Sequence, residues 1–467
     1  MSTNSTPSGN SLSAAKHDPY AALRERDFRL FLSGNFLWVL GFKAQTVAVG
    51  YEIFQRTGAS LALGFVGLVQ ILPVLALALI AGHAADRFDR RVIILVTLAL
   101  TVLASVGLAI VSLSGAHIWV TYVLVSIIGV ARGFSQPARA SFLPQIVSGD
   151  RFPNAITWST GAFQLAFVLG PALGGILMAI SGNGSSPGKA DAGSVSGPAI
   201  VYVCHAAAAA TFFCLLCFIR SRPVTHHGEG LTLASLAAGA KFVWSQKVML
   251  GALTLDLFAV LLGGATALLP IYASDEILDV GKIGLGWMEA APALGAVLMT
   301  FIMAHRPPMG HAGRTMLLSV AGFGVATIVF GFSRWFPLSL AMLFLAGALD
   351  NISVVIRHTL VQLLTPDAMR GRVTAINGMF IGASNDLGGF ESGVVASVAE
   401  HWHRGGAELS VREDVAFGAT FSVVVGGIGT LVVVALLYWR ATALRNYDRL
   451  ISPRPDTQDP EEQELTP

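Results

Sequence analysis

Apolar runs of about 20 residues recur along the whole chain. A helix that rises about 1.5 Å per residue needs roughly that many residues to cross a hydrocarbon core of about 30 Å. Charged residues make up only 12% of the sequence, which is about half of their share in a typical soluble protein. Water is therefore not the main solvent of this chain, and the sequence predicts an all-α integral membrane protein.

Twelve of these runs have the length and composition of a transmembrane helix. They lie near residues 30–54, 61–83, 92–114, 117–138, 155–180, 199–219, 248–273, 283–304, 315–333, 337–361, 373–399 and 415–439. The runs divide the chain into a disordered cytoplasmic tail (1–19), an N-terminal six-helix half (20–219), a cytoplasmic connecting loop (220–247), a C-terminal six-helix half (248–440) and a cytoplasmic tail (441–467).

The distribution of Lys and Arg predicts the orientation of these helices, because cytoplasmic loops retain an excess of basic residues. With the N-terminus inside, cytoplasmic segments carry 21 of the 30 basic residues and outer loops carry six. The other three, Lys43, Arg132 and Arg357, fall inside apolar runs. We therefore expect a multi-pass plasma membrane protein with both termini in the cytoplasm. The net charge of +2 follows from this topology and gives no reason to expect a nucleic-acid partner.

The two halves of the sequence resemble each other at an offset of about 220 residues. Residues 143–150 match residues 360–367, at the inner end of the fourth helix of each half, and Pro73 corresponds to Pro292. Several matches at one offset are difficult to produce by chance, and parallel repeats of six helices are one architecture of secondary transporters. The sequence thus predicts two parallel six-helix repeats, with substrate bound near the membrane midplane between them.

A short motif follows the second apolar run, where a glycine precedes an acid and three arginines (Gly-His-Ala-Ala-Asp-Arg-Phe-Asp-Arg-Arg). It resembles the loop signature of the major facilitator superfamily, Gly-x-Leu-Ala-Asp-Arg-x-Gly-Arg-Lys. An ordinary positive-inside loop is the alternative, which accounts for the arginines but not for the ordered glycine and aspartate. The resemblance implies a loop that latches one conformational state. Its residues here are Gly82, Asp86, Arg87, Arg90 and Arg91.

A second motif lies in the fifth apolar run, where Gly170, Pro171, Gly174 and Gly175 resemble the Gly-Pro-x-x-Gly-Gly motif of exporters in the same superfamily. Proline removes a backbone hydrogen bond and glycine allows close packing, so a pliable helix is expected. Segments of the second half, among them residues 384–393, resemble the branch that contains the enterobactin exporter and macrolide efflux proteins. The resemblance implies the major facilitator fold, in a bacterial inner membrane, and it favours export.

Ionisable residues within the apolar runs form the candidate substrate and proton pathway, because a charge at membrane depth costs a few kcal/mol unless it is paired or hydrated. They are Lys43, Arg132, Asp256, Glu289, Asp350, Arg357, Asp386 and Glu391. A carboxylate in a low-dielectric site can exchange protons near neutral pH, as proton-coupled transport requires. A satisfied packing role is the alternative for any one of them.

Three expectations are more specific. Lys43 and Glu289 differ in depth by roughly 7 Å, so we hypothesise an ion pair between them across the two halves. Both depart from the residues expected in the resembled branch. Asp350 and Arg357 are seven residues apart and should share one helix face. Arg132 resembles the membrane arginine of the superfamily's fourth helix, which implies proton transfer or anion binding, with a structural role as the alternative.

These features predict a secondary active transporter, and specifically a proton-coupled exporter of a small siderophore-like or drug-like molecule that works by alternating access. An importer of a small solute and a non-transporting sensor on the same fold are the alternatives. An enzyme is not expected, since no nucleotide-binding loop appears and the His and Cys residues do not converge. The expected partners are the substrate, protons and the lipid bilayer. No cofactor or metal is expected, and the chain should be a monomer.

The predicted topology can be tested with reporters fused after Lys189 and after Arg306. The basic-residue distribution requires the first reporter to lie outside the cell and the second to lie inside. Paired alkaline phosphatase and green fluorescent protein fusions at each position measure this directly. Finding both positions on the same side of the membrane would contradict the twelve-helix arrangement.

Overall fold

The computed structural model describes residues 18–180, 197–220, 233–305, 311–404 and 411–447, and all regular structure in these residues is helical. The helices are α1 (Arg26–Thr57), α2 (Ser60–Arg87), α3 (Arg90–Ser114), α4 (Ile118–Ile146), α5 (Phe152–Ile180), α6 (Gly197–Cys217), α7 (Leu233–Ser245), α8 (Lys247–Leu262), α9 (Leu269–Tyr272), α10 (Gly281–Ala304), α11 (Ala312–Phe332), α12 (Phe336–Leu364), α13 (Asp367–Arg404), α14 (Val411–Arg440) and α15 (Thr442–Arg445). The loop positions Lys189 and Arg306 lie outside these ranges. The predicted tails also lie outside them, except for residues 18–19 and 441–447.

Ten spans in the described part of the chain are long and apolar enough to cross a membrane. The helices α1 and α13, with 32 and 38 residues, are also long enough but are the least apolar of the long helices. Both carry polar and charged residues along their length, which lowers their mean hydropathy. The expectation of an all-helical membrane protein is confirmed, and the count of twelve spanning helices stays a prediction.

The predicted seventh span, residues 248–273, is a broken helix. The helix α8 ends at Leu262, a 3₁₀ turn follows at Ala265–Leu268, and α9 resumes with Pro270 in its first turn. A Cβ atom on Gly264 would collide with the carbonyl group of Gly388 in α13. The glycine therefore allows α13 to approach the break closely, and the single helix expected from the apolar pattern does not form.

The same helix pairs recur in the two halves of the bundle. In the first half α1 packs against α5 and α6, α3 packs against α4 and α6, and α2 packs against α4. In the second half α8 packs against α13 and α14, α11 packs against α12 and α14, and α10 packs against α12. The halves meet along two seams, formed by α2 with α13 and by α5 with α10.

The apolar core is arranged differently at the two ends of the bundle. We call the end at which α1 begins the tail side and the opposite end the distal side. At the distal side one continuous core includes Val47 and Met178 of the first half together with Met288 and Phe330 of the second. At the tail side each half has its own core. The halves are thus packed together at the distal side and apart at the tail side.

A buried ion pair joins α8 to α12 inside the second half. Arg357 donates through a guanidinium nitrogen to the carboxylate of Asp256, and the two residues are only 1% and 4% exposed. A buried charge that loses its partner is strongly destabilising, by about 3–5 kcal/mol in measured cases. This pair therefore fixes the position of α12 against the broken span.

We expect Asp256→Asn to lower the thermal unfolding temperature of the purified protein markedly, because it leaves the Arg357 charge buried without a counter-ion. The double variant Asp256→Leu, Arg357→Met replaces both charges with apolar groups and should recover most of the loss. Differential scanning fluorimetry in detergent measures both. An unfolding temperature unchanged in Asp256→Asn would contradict this role.

Candidate transport and coupling site

An ion pair between α4 and α13 connects the two halves near the centre of the bundle. Nη2 of Arg132 lies 2.5 Å from Oδ2 of Asp386, and Nη1 of Arg132 donates to Oε1 of Gln70 in α2 at 3.4 Å. The two charged side chains remain 21% and 22% exposed. A Cβ atom on Gly67 would collide with the carbonyl oxygen of Asp386, so this glycine lets α13 approach α2 at the level of the pair.

Lys43 of α1 lies next to the glycine motif of α5. Its Nζ is 3.8 Å from the centroid of the Phe167 ring, which is cation–π geometry. A Cβ atom on Gly170 would lie 2.6 Å from the Cβ of Lys43, so this glycine makes room for the lysine. Glu289 of α10 interacts with Lys43 electrostatically. Within the described part of the chain the two form no direct ion pair.

Asp350 lies at the middle of α12, half-buried, and bonds to no side chain that the structure describes. Arg357, seven residues further along the same helix, pairs with Asp256 of α8. Glu391 of α13 is also half-buried and accepts a hydrogen bond from the Ser392 hydroxyl at 3.4 Å. Among the described residues, Asp350 is thus a carboxylate in a helix interior with no side-chain bonding partner.

The charges in the helix interiors are divided unequally between the halves. The first half holds the cations Lys43, Arg132 and Arg139 and the acid Glu52, while the second half holds the five acids proposed for the pathway and the cation Arg357. Opposite charges on facing helices attract strongly in a low-dielectric environment. Contact between the halves at the centre of the bundle is therefore stabilised by the attraction between Arg132 and Asp386.

Arg139 is a half-buried cation that the predicted end of the fourth apolar run places in a cytoplasmic loop. The structure extends α4 to Ile146, so that Arg139 lies inside the helix and donates to Asn35 of α1 at 2.9 Å. Its guanidinium carbon is 3.9 Å from the centroid of the Trp38 ring. Arg357 occupies the corresponding position of the second half. The sequence repeat therefore indicates that Arg139, like Arg357, lies inside a helix.

The predicted loop motif spans the end of α2 and the start of α3, and only residues 88 and 89 lie between the two helices. Arg90 donates to the carbonyl oxygens of Ala85 and Ser141 at 3.3 and 3.2 Å, and Arg91 donates to that of Cys217 at 2.6 Å. The two arginines therefore fasten the loop to the tail-side ends of α4 and α6. Arg87 is exposed, Gly82 is buried, and the side chain of Asp86 lies outside what the structure describes.

The predicted glycine motif of α5 contacts two different helices. A Cβ atom on Gly174 would lie 2.8 Å from the carbonyl oxygen of Ala44 in α1. On another face, a Cβ atom on Gly175 would lie 3.0 Å from Cα of Gly286 in α10, and Gly286 also approaches the carbonyl oxygen of Pro171. The motif thus lets α5 pack closely against α1 of its own half and against α10 of the other half.

His205 belongs to a buried polar cluster rather than to a metal site. Its Nδ1 is 2.8 Å from Oε1 of Gln45 and 3.1 Å from the Ser105 hydroxyl, which joins α6 to α1 and α3. At the distal side His403 contacts the Asp414 carboxylate at 2.9 Å. No group of three or more His, Cys, Asp or Glu residues in the described ranges is placed to hold a metal ion.

Comparison with known sequences identifies relatives over most of the chain. The profile of the Major Facilitator Superfamily matches residues 31–389. The multidrug efflux pump Tap of Mycolicibacterium fortuitum is 26% identical over 361 residues, which are 76% of this chain and 85% of that protein. The enterobactin exporter EntS of Citrobacter koseri is 26% identical over 355 residues, or 75% of this chain and 80% of that protein.

Solved structures share the fold at lower sequence identity. A bacterial homologue of the human lysosomal transporter Spinster, in an inward-facing and unoccupied conformation, matches with a TM-score of 0.73 and 16% identity, over 92% of this chain and 99% of that one. A D-xylose–proton symporter matches with a TM-score of 0.66 and 14% identity, over 90% and 98% of the two chains. The profile match, the relatives and the helical bundle agree that this chain belongs to the major facilitator superfamily of membrane transporters and is not an enzyme.

Proposed function

We propose that this protein is a proton-coupled exporter of a small organic molecule that works by alternating access. The observation that carries the proposal is the ion pair of Arg132 and Asp386, which lies between the halves at the centre of the bundle. An ion pair across a moving interface holds one state and must separate before the other state forms. A proton on Asp386, or a substrate group that replaces either partner, removes the attraction.

The relatives support export. The proteins that match this chain at about a quarter identity are named as a multidrug efflux pump and an enterobactin exporter. Solved structures with the same fold include a xylose–proton symporter and a nucleoside transporter, which keeps import as the second candidate function. At 12% and 14% identity, these structures support only the shared fold. The sequence relatives are therefore the better guide to the direction of transport.

The proposal includes twelve spanning helices in two parallel repeats, with both termini on the cytoplasmic side of the plasma membrane. The recurrence of the same helix pairs in both halves supports the repeat. In this orientation the separated tail-side cores face the cytoplasm and the continuous distal core faces outward. An exporter in this state takes up its substrate from the cytoplasm. The chain is proposed to act as a monomer.

The five acids at membrane depth are the proposed proton carriers. At least one of Asp256, Glu289, Asp350, Asp386 and Glu391 has to change protonation between the two states, because a carboxylate that stays ionised carries no proton. Asp350 is the first candidate, since it lies at the middle of α12 and bonds to no described side chain. Asp386 is the second, through its pair with Arg132. Asp256 is the least suited, because its partner is fully buried.

Amide variants of these acids test the coupling. We expect Asp350→Asn or Asp386→Asn to abolish uphill movement driven by a pH gradient while leaving downhill exchange intact, since binding and rocking survive without the proton link. Proteoliposomes supplied only with a pH gradient measure both modes, with ethidium and enterobactin as separate probes. Asp150→Asn, at a loop carboxylate that is 76% exposed, is the matched control. If all five single amide variants still concentrate the probe that the unmodified protein transports, the carrier lies elsewhere.

The loop motif gives a separate prediction. Asp86→Asn should reduce transport severalfold while the protein remains inserted and folded, because the acid is proposed to latch a conformational state rather than to hold the fold. Asp89→Asn is the control in the same loop. Asp89 caps α3 by accepting from the Arg91 backbone N–H at 2.8 Å, and asparagine caps equally well. Normal transport by Asp86→Asn, at equal amounts of folded protein, would contradict the latch.

A further inference from the structure

Each half contains an arginine that joins the helix of its fourth apolar run to the helix of its first. In the second half Arg357 of α12 bonds to the Asp256 carboxylate of α8, and both residues are almost completely buried. In the first half Arg139 of α4 donates to the amide oxygen of Asn35 in α1 at 2.9 Å. The first half thus has a neutral asparagine where the second half has an acid.

Arg139 has no acidic partner among the described residues. Its Nε and Nη2 donate to the carbonyl and hydroxyl oxygens of Ser135, both at 3.3 Å, and its Nη1 donates to Asn35. All of these acceptors are neutral. A charge at membrane depth that is not paired has to be hydrated, and both Arg139 and Asn35 are only half-buried. The guanidinium therefore lies within reach of solvent.

The face of α4 that carries Arg139 is the face that meets the second half. Arg132, seven residues earlier, pairs with Asp386 of α13, and residues seven apart lie on one face of a helix. Arg139 lies about 10 Å further toward the tail side, where the cores of the two halves are separate. A solute that enters between the halves from the tail side therefore meets Arg139 before it reaches Arg132.

Trp38 of α1 adds a second donor at this position. The guanidinium carbon of Arg139 lies 3.9 Å from the centroid of the Trp38 ring, and both residues border a cleft between α1, α3, α4 and α6. The indole N–H of Trp38 is buried and donates to no group that the structure describes, although buried donors usually have an acceptor. A cation without a described acid and an N–H donor without a described acceptor thus lie side by side.

We propose that Arg139, together with Asn35 and Trp38, is the tail-side docking site for an anionic group of the exported molecule, such as a carboxylate or a sulfonate. The inference rests on the proposed export and adds the chemical class of the substrate. Guanidinium groups bind carboxylates through strong charge-assisted hydrogen bonds. In the second half Asp256 supplies that carboxylate from within the chain, whereas the neutral Asn35 leaves the equivalent place to the substrate.

The variant Asn35→Asp tests the site without removing the arginine, because it gives the first half the acid that the second half already has. Fluorescein and rhodamine 6G share a ring system but carry opposite charges, and fluorescence polarisation measures the binding of each dye to the purified protein in detergent. We expect Asn35→Asp to weaken fluorescein binding about tenfold or more and to leave rhodamine 6G binding unchanged. Arg314→Gln, at an exposed tail-side arginine of α11, is the matched control and should change neither.

Cysteine reactivity measures the local charge without a substrate. In a background with Cys204, Cys214 and Cys217 replaced by serine, Asn35→Cys is treated with a negatively charged and a positively charged methanethiosulfonate reagent of similar size. Because Arg139 attracts the negative reagent, we expect the ratio of negative to positive reaction rates to fall severalfold when Arg139→Gln is added. Fluorescein should slow the reaction of Asn35→Cys only while Arg139 is present.

The outcomes separate this inference from the proposed function. Equal fluorescein binding by Asn35→Asp and the unmodified protein would overturn the site, as would a ratio of reaction rates that does not change in Arg139→Gln. Absence of fluorescein binding to the unmodified protein would overturn the anionic class and leave proton-coupled export of other molecules intact. Fluorescein binding that depends on Arg139, without uphill movement of any probe in proteoliposomes, would support the site and contradict the proposed export.

Discussion

Unequal packing at the two ends of the bundle is the constraint on which the rest of this structure depends. The distal core runs without interruption through both halves, whereas the tail-side cores are separate. Interiors packed at close to crystal density do not deform continuously, so under the proposed alternating access each half would move as a unit and the interface between them would change. The helices at the two seams, α2 with α13 and α5 with α10, would then carry the change of state.

Close approach at the seams relies on the absence of side chains. Hydrophobic burial does not drive helix association between lipid-facing surfaces, because lipid is as apolar as leucine. Backbone contact at Gly64, Gly175 and Gly393 supplies van der Waals packing instead. Such contacts are specific in register but depend on few side chains, which suits the opening and re-forming of this interface under the proposed alternating access.

Electrostatic attraction is the second interaction that acts at the interface between the halves. Arg132 of the first half forms an ion pair with Asp386 of the second half. Pairs within one half act differently. The pair of Arg357 and Asp256 is almost completely buried and lies within the second half. Under the proposed mechanism, only charges between the halves would couple protonation to a change of state.

The sequence by itself determined the class of this protein and most of its candidate residues. Recurring apolar runs predicted an all-helical membrane protein, and two ordered motifs predicted the superfamily, because both depend on local patterns that a single chain displays. Helix ends were less accurate. The fourth apolar run was ended at residue 138, and Arg139 was therefore placed in a loop instead of against Trp38.

The tertiary structure decided which charges meet. Asp350 and Arg357 lie seven residues apart on α12, but Arg357 bonds to Asp256 on another helix. Lys43 lies over the Phe167 ring, and Glu289 interacts with Lys43 electrostatically without a direct bond. Neighbours across helices depend on how the bundle packs, which spacing along one helix does not specify. The break after α8 and the open tail side were likewise invisible in the apolar pattern, because both arise from how closely one helix approaches another.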